Sequence, residues 1–177
     1  MIFGQMTKGQ IYDYYLSQRD GQGKWGERVF AHYLKGMGID IEYNDTSDYD
    51  IKATKRETTL KFEIKTDTYE LKRNLTDNVF IEFEDFGKPS GISITHADYY
   101  VTIFPLQKEM YIIETEVLKT MLDPNNIYLG AGTTGEGKAY LVKKELFRRK
   151  ELDWERWSSG IKQDWFEWYD MKRKGLI

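Results

Sequence analysis

The sequence predicts an α/β domain, a mixed β-sheet flanked by helices, and three observations carry that expectation. An amphipathic segment, Lys24 to Met37, precedes a run of short alternating segments. Polar turns separate those segments at hairpin distances, and a further helical stretch follows the later strands. A chain of 177 residues with 40% hydrophobic content, 13 Tyr, 9 Phe and 5 Trp has the material for one buried core. It shows no internal repeat, low-complexity linker or abrupt change of composition, so a single domain over residues 1–177 is expected.

Ile11, Tyr14, Tyr15 and Leu16 lie at near-helical spacing and predict a first short helix from Lys8 to Gln18, broken by the glycines at 21 and 23. In the next helix Val29, Phe30, Tyr33, Leu34 and Met37 form the apolar stripe, with Gly36 and Gly38 closing it. Glu27 projects from the margin of that stripe, beside Phe30, Ala31 and Leu34. Strands are expected over Ile39 to Tyr43, Tyr49 to Ala53, Thr58 to Thr66 and Asn78 to Glu84. After the loop from Phe86 to Gly91, Thr95 is placed to cap a short helical turn before strands Tyr99 to Phe104 and Met110 to Ile113. Thr115 to Leu122 reads as a helix ended before Pro124. Ile127 to Leu129 and Ala139 to Val142 flank the glycine-rich stretch from Gly130 to Gly137 as a hairpin or loop.

Composition excludes several chemistries. No cysteine is present, which removes disulfides, thiolate zinc sites and a cysteine nucleophile. Only His32 and His96 exist, too few for a histidine-rich metal cage. No stretch approaches the ~20 apolar residues of a membrane span, and the N-terminus lacks a secretory pattern, so a soluble, intracellular protein is expected. The formal net charge of -3 weighs against an acidic partner, but a basic cluster at Lys143, Lys144, Arg148, Arg149 and Lys150 offers phosphate contacts.

The chemistry gathers on two neighbouring strands. In Thr59 to Thr66, Leu60, Phe62 and Ile64 point one way while Lys61, Glu63 and Lys65 point the other. Asp50, flanked by Tyr49 and Ile51, takes the face opposite its neighbours, and the short turn through Lys55, Arg56 and Glu57 pairs the two strands as a hairpin. That brings Asp50 to Glu63. Two carboxylates forced together repel unless a proton or cation intervenes, and oxygen ligands are what Mg²⁺ selects. Lys65, on the same face, is placed to hold or activate water and to offset charge on a phosphate.

With Asp50, Glu63-Ile64-Lys65 and the acid Glu27 on the preceding helix, the sequence resembles the PD-(D/E)XK nuclease superfamily of phage and bacterial type. The resemblance covers residues from about 24 to 113 and leaves about 114 to 177 as an accessory segment. It implies a restriction-endonuclease-like core of helix, three-stranded meander, helix and strand. It further implies a nuclease, DNA as the favoured substrate, Mg²⁺ or Mn²⁺ on Asp50, Glu63 and Glu27, and Lys65 at the nucleophile or transition state. Glu82 is an accessory candidate. The bland reading makes Glu63 and Lys65 the solvated face of an edge strand; the runner-up function is a non-catalytic nucleic-acid or protein-binding module of the same fold.

Weaker signals complete the reading. Lys24 and Lys88 are candidate phosphate contacts, with ordinary solvation as the alternative. Gly132 to Lys138 has P-loop spacing, but Ala139 replaces the required Ser or Thr and a strand follows where a helix must start. His96 lies near the loop from Gly87 to Gly91. Trp154, Trp157, Trp165 and Trp168, with Phe166 and Tyr169, predict a Trp-rich helical C-terminus suited to core packing or a homodimer seam.

Overall fold

Alternating side chains build the centre of the protein, which the computed structural model describes over residues 22–67, 76–105, 107–131 and 135–151. In β3 (Thr58–Thr66), Phe62 and Ile64 are buried on one face, against the helix α1 (Gln22–Lys35). Trp25, Val29, Phe30 and Leu34 supply the other half of that contact. Burying side chains of this size contributes about 1.5–3 kcal/mol each, which fixes both strand face and helix orientation. β1 (Asp40–Tyr43) and β2 (Ile51–Lys55) complete an antiparallel meander with β3. The β2–β3 turn closes with Lys55 opposite Thr58 and Arg56 at φ 57°, as the predicted hairpin requires.

β6 (Tyr99–Phe104) then lies parallel to β3, β7 (Glu109–Glu114) returns antiparallel to β6, and β10 (Arg148–Glu151) pairs antiparallel with β7. The result is a mixed six-stranded sheet in the order β1-β2-β3-β6-β7-β10. β3 is therefore an interior strand rather than an edge.

The expected single sheet is two. β4 (Asn78–Asp85) pairs with β5 (Lys88–Pro89) and β9 (Gly137–Lys143), and β8 (Ile127–Ala131) pairs with β9, forming a separate antiparallel sheet. The reason is burial. The β6–β7 face that carries Tyr100, Phe104, Tyr111 and Ile113 needs an apolar cover, and Val79, Ile81 and Val142 of the second sheet provide it, with Leu118 of α2 (Thr115–Thr120) and Phe147. Three layers follow: α1, the six-stranded sheet, and the four-stranded sheet.

Two further expectations are corrected. Between the meander and β6, the one helical element among the described residues is a single 3₁₀ turn, Gly91–Ser93, where a core helix was expected. Thr95 caps no helix; it follows that turn, and its hydroxyl faces Glu63. Gly91 sits at φ 50°, where a Cβ would collide with the carbonyl oxygen of Glu82, so the chain passes too close to β4 for any side chain. The predicted helix at Lys8 to Gln18 and the Trp-rich C-terminus fall outside the described residues. Among the described residues no helix is long and apolar enough to cross a membrane.

Candidate active site

The site arises where the sheet loses a strand. Pairing of β2 with β3 ends at Ile51 opposite Phe62, so, among the described residues, Ile64, Lys65 and Thr66 have β6 on one side and no strand on the other, which leaves a notch in the sheet. Asp50 stands at the head of β2 and fills the first gap. Its N–H donates to the Phe62 carbonyl at 2.9 Å, and its Oδ2 accepts the N–H of Ile64 at 2.6 Å. A side chain thus continues the ladder that the backbone abandons, and it holds the Asp50 charge close enough to act on Glu63.

Glu63 points into the notch and is only 5% exposed, which ends the reading of a solvated strand face. Oε1 accepts the Lys65 ammonium at 2.6 Å and Oε2 accepts the Thr95 hydroxyl at 3.1 Å. The same hydroxyl lies 3.1 Å from the Asp48 carbonyl and accepts the Ala97 N–H at 3.2 Å. Thr95 therefore ties three segments together at the back of Glu63. Burial pushes the Glu63 carboxyl above its usual range and the Asp50 charge adds to the rise, against Lys65 and Thr95, which oppose it. Burial alone favours the neutral amine of Lys65, but the carboxylates of Glu63 and Asp50 oppose it and hold the group as an ammonium. The Lys65 side chain keeps 38% exposure, so its charge looks out of the notch.

Glu27 arrives from α1. Gly26 allows the helix to lie against Thr66, because a Cβ there would collide with the Thr66 hydroxyl. One residue on, Glu27 is 5% exposed and accepts Lys24 Nζ at 3.0 Å. Burial raises its carboxyl, and it feels both the Asp50 charge and the Lys65 ammonium. Of the four residues singled out in the sequence, Asp50, Glu63 and Lys65 stand together, and Glu27 is near enough to feel the charges of Asp50 and Lys65. Lys24 joins them as the half-exposed partner of Glu27, while Lys88 is exposed on β5 and lies in the second sheet.

The remaining candidates make other contacts. Glu82 on β4 accepts the Ser90 hydroxyl at 2.6 Å, which pins the loop from Phe86 to Gly91 onto the strand. His96 is exposed, with Nδ1 3.5 Å from Asp48. In the basic cluster Arg149 binds Glu109 and Glu151, and the Lys144 ammonium stands 3.9 Å from the Phe104 ring centre. Gly137 opens a strand, so the P-loop spacing builds a hairpin.

Sequence reasoning missed Tyr100. It pairs in register with Glu63 across the parallel ladder and is fully buried, and its hydroxyl has no hydrogen-bond partner among the described residues. Burial pushes that phenol well above its usual range. A buried hydroxyl left unpaired costs about 1–3 kcal/mol. Its one readable signal was parity: Tyr99 and Tyr100 must face opposite sides, and only one of them can share the side of the acids.

The donor set suits a hard divalent cation. Three carboxylates face two ammonium groups, Lys24 and Lys65, leaving one formal negative charge in excess. Among the described residues no three His, Asp or Glu side chains converge closely enough to enclose a metal, and Asp50 and Glu63 are the carboxylate pair that could hold one. Mg²⁺ is commonly held by one or two carboxylates and keeps several waters.

No protein-family profile and no curated protein matches this chain. Among solved structures, that of a bacterial homing endonuclease, I-Ssp6803I, is similar at 14% identity and a TM-score of 0.46, over 69% of this chain and 76% of that one. A likeness of that degree carries no inference about function.

Proposed function

We propose that this protein is a nuclease that hydrolyses phosphodiester bonds of nucleic acid, DNA before RNA, with Mg²⁺ or Mn²⁺. The supporting observation is the notch beside β3, where buried Glu63 and ladder-completing Asp50 stand together with a half-exposed ammonium between them and solvent. When bound by Asp50 and Glu63, the cation supplies Lewis-acid polarisation and a more acidic water. Asp50 is held rigid by the Ile64 N–H, so its free oxygen keeps one direction. Thr95 holds Glu63 from behind and leaves the Lys65-facing oxygen as the one to exchange partners. Lys65, kept cationic, places positive charge where a phosphate gains negative charge in the transition state. Glu27, with a raised carboxyl at the helix margin, is placed to accept a hydrogen bond from water and steer it.

A non-catalytic binding module is the second reading. It is favoured by the closed Glu63–Lys65 pair at 2.6 Å, which satisfies both charges without any cation. Incubation of the purified protein with circular, linear, single-stranded and four-way-junction DNA, in Mg²⁺ or EDTA, separates the two. Cleavage in Mg²⁺ alone supports the nuclease; binding without cleavage of any substrate supports the module.

A further inference from the structure

Tyr100 stands beside Glu63 on β6 and one diagonal step from Lys65, on the same sheet face. Its phenol is buried and has no hydrogen-bond partner among the described residues, whereas both oxygens of Glu63, one oxygen of Asp50 and the ammonium of Lys65 each have a partner in the notch. Tyr100 and Lys65 are close enough that the ionisation of each would bear on the other. A phenol offers a lone pair as well as one proton. A buried polar atom without a partner is uncommon and calls for an explanation.

Lys65 is the group whose partner must change. In the structure its ammonium closes on Glu63 Oε1 at 2.6 Å. A divalent cation taking that oxygen would put two positive charges against each other. We infer that Tyr100 is a positioning residue for Lys65: its hydroxyl oxygen accepts the ammonium when Glu63 turns to a cation, and keeps it in the notch facing the phosphate. The inference rests on the nuclease reading for its purpose, but its geometry is testable without turnover.

Tyr100→Phe removes one oxygen and keeps the ring, so the core is retained and the thermal midpoint stays level or rises. Ca²⁺ is titrated calorimetrically into the full chain. The substitution weakens Ca²⁺ binding by about tenfold. In a Lys65→Ala background it changes affinity by less than about twofold, since no ammonium remains to be moved. With Mg²⁺ and DNA, Tyr100→Phe lowers kcat by about tenfold and leaves KM in place. Unchanged Ca²⁺ affinity and kcat overturn the inference while wild-type cleavage preserves the nuclease reading. An equal loss in both backgrounds overturns it too, because the hydroxyl then acts without Lys65. A Tyr100-dependent, Lys65-dependent Ca²⁺ affinity in a protein that cleaves nothing upholds the inference and sinks the nuclease reading.

Discussion

Replacing Asp50 by Asn separates its two duties. Its Oδ2 accepts the Ile64 N–H at 2.6 Å, at the point where β2 no longer supplies a backbone acceptor. The amide of Asn can turn its oxygen to the same N–H, so the bond survives but loses charge assistance, a weakening of about 1 kcal/mol. Against that, the Asp50 charge pushes both Glu63 and Glu27 upward, and its removal relieves both. The terms oppose, and the net change stays within about 1 kcal/mol, or about 4 °C in Tm for a chain of this size. Asp50→Ala offers no acceptor and leaves the N–H of buried Ile64 unpaired, for a loss of about 1–3 kcal/mol. The other oxygen has no substitute in Asn, whose NH₂ is a donor, so Ca²⁺ affinity and Mg²⁺-dependent cleavage fall by about 100-fold or more. Thermal unfolding, calorimetry and single-turnover cleavage read the three quantities. A Tm for Asp50→Asn as low as that of Asp50→Ala, or cleavage at the wild-type rate, would refute the double role.

Thr95→Val removes the hydroxyl shared by Glu63, the Asp48 carbonyl and the Ala97 N–H, and should cost about 1–3 kcal/mol in urea unfolding and lower kcat more than it raises KM. Unchanged kcat would make Thr95 a bystander. Gly91→Ala places a methyl against the Glu82 carbonyl at φ 50°, and should destabilise by more than about 1 kcal/mol by backbone strain alone. An equal urea midpoint would mean that the turn relaxes freely.

Most strands were legible because their patterns are local. Leu60, Phe62 and Ile64 against Lys61, Glu63 and Lys65 set the face of β3, and the turn at Arg56 set its partner. The notch was half legible. Asp50 and Glu63 followed from hairpin geometry, and Glu27 from its place at the margin of the helix stripe. Their capture of an N–H and of a threonine hydroxyl did not follow, because Ile64 loses its partner only through where β2 happens to end. The second sheet was hidden for a related reason. Val79 pairs with Val142 and Ile81 with Tyr140, contacts between segments about sixty residues apart that no local period encodes. Thr95 misled because a threonine after a glycine-proline loop reads as the cap of a short helical turn, while its hydroxyl serves a residue on another element, Glu63. Tyr100 escaped notice since a buried tyrosine in an apolar strand looks like core, and only the unpaired hydroxyl distinguishes it.

The central claim is that the ammonium and carboxylates of the β3 notch cleave nucleic acid, and Lys65 bears on it most directly. The measurement is single-turnover cleavage of labelled DNA in Mg²⁺ by wild type and Lys65→Ala, with DNA affinity taken in Ca²⁺. Lys65→Ala should bind DNA within about threefold of wild type and cleave it about 100- to 1,000-fold more slowly; equal cleavage by the two proteins would contradict the account.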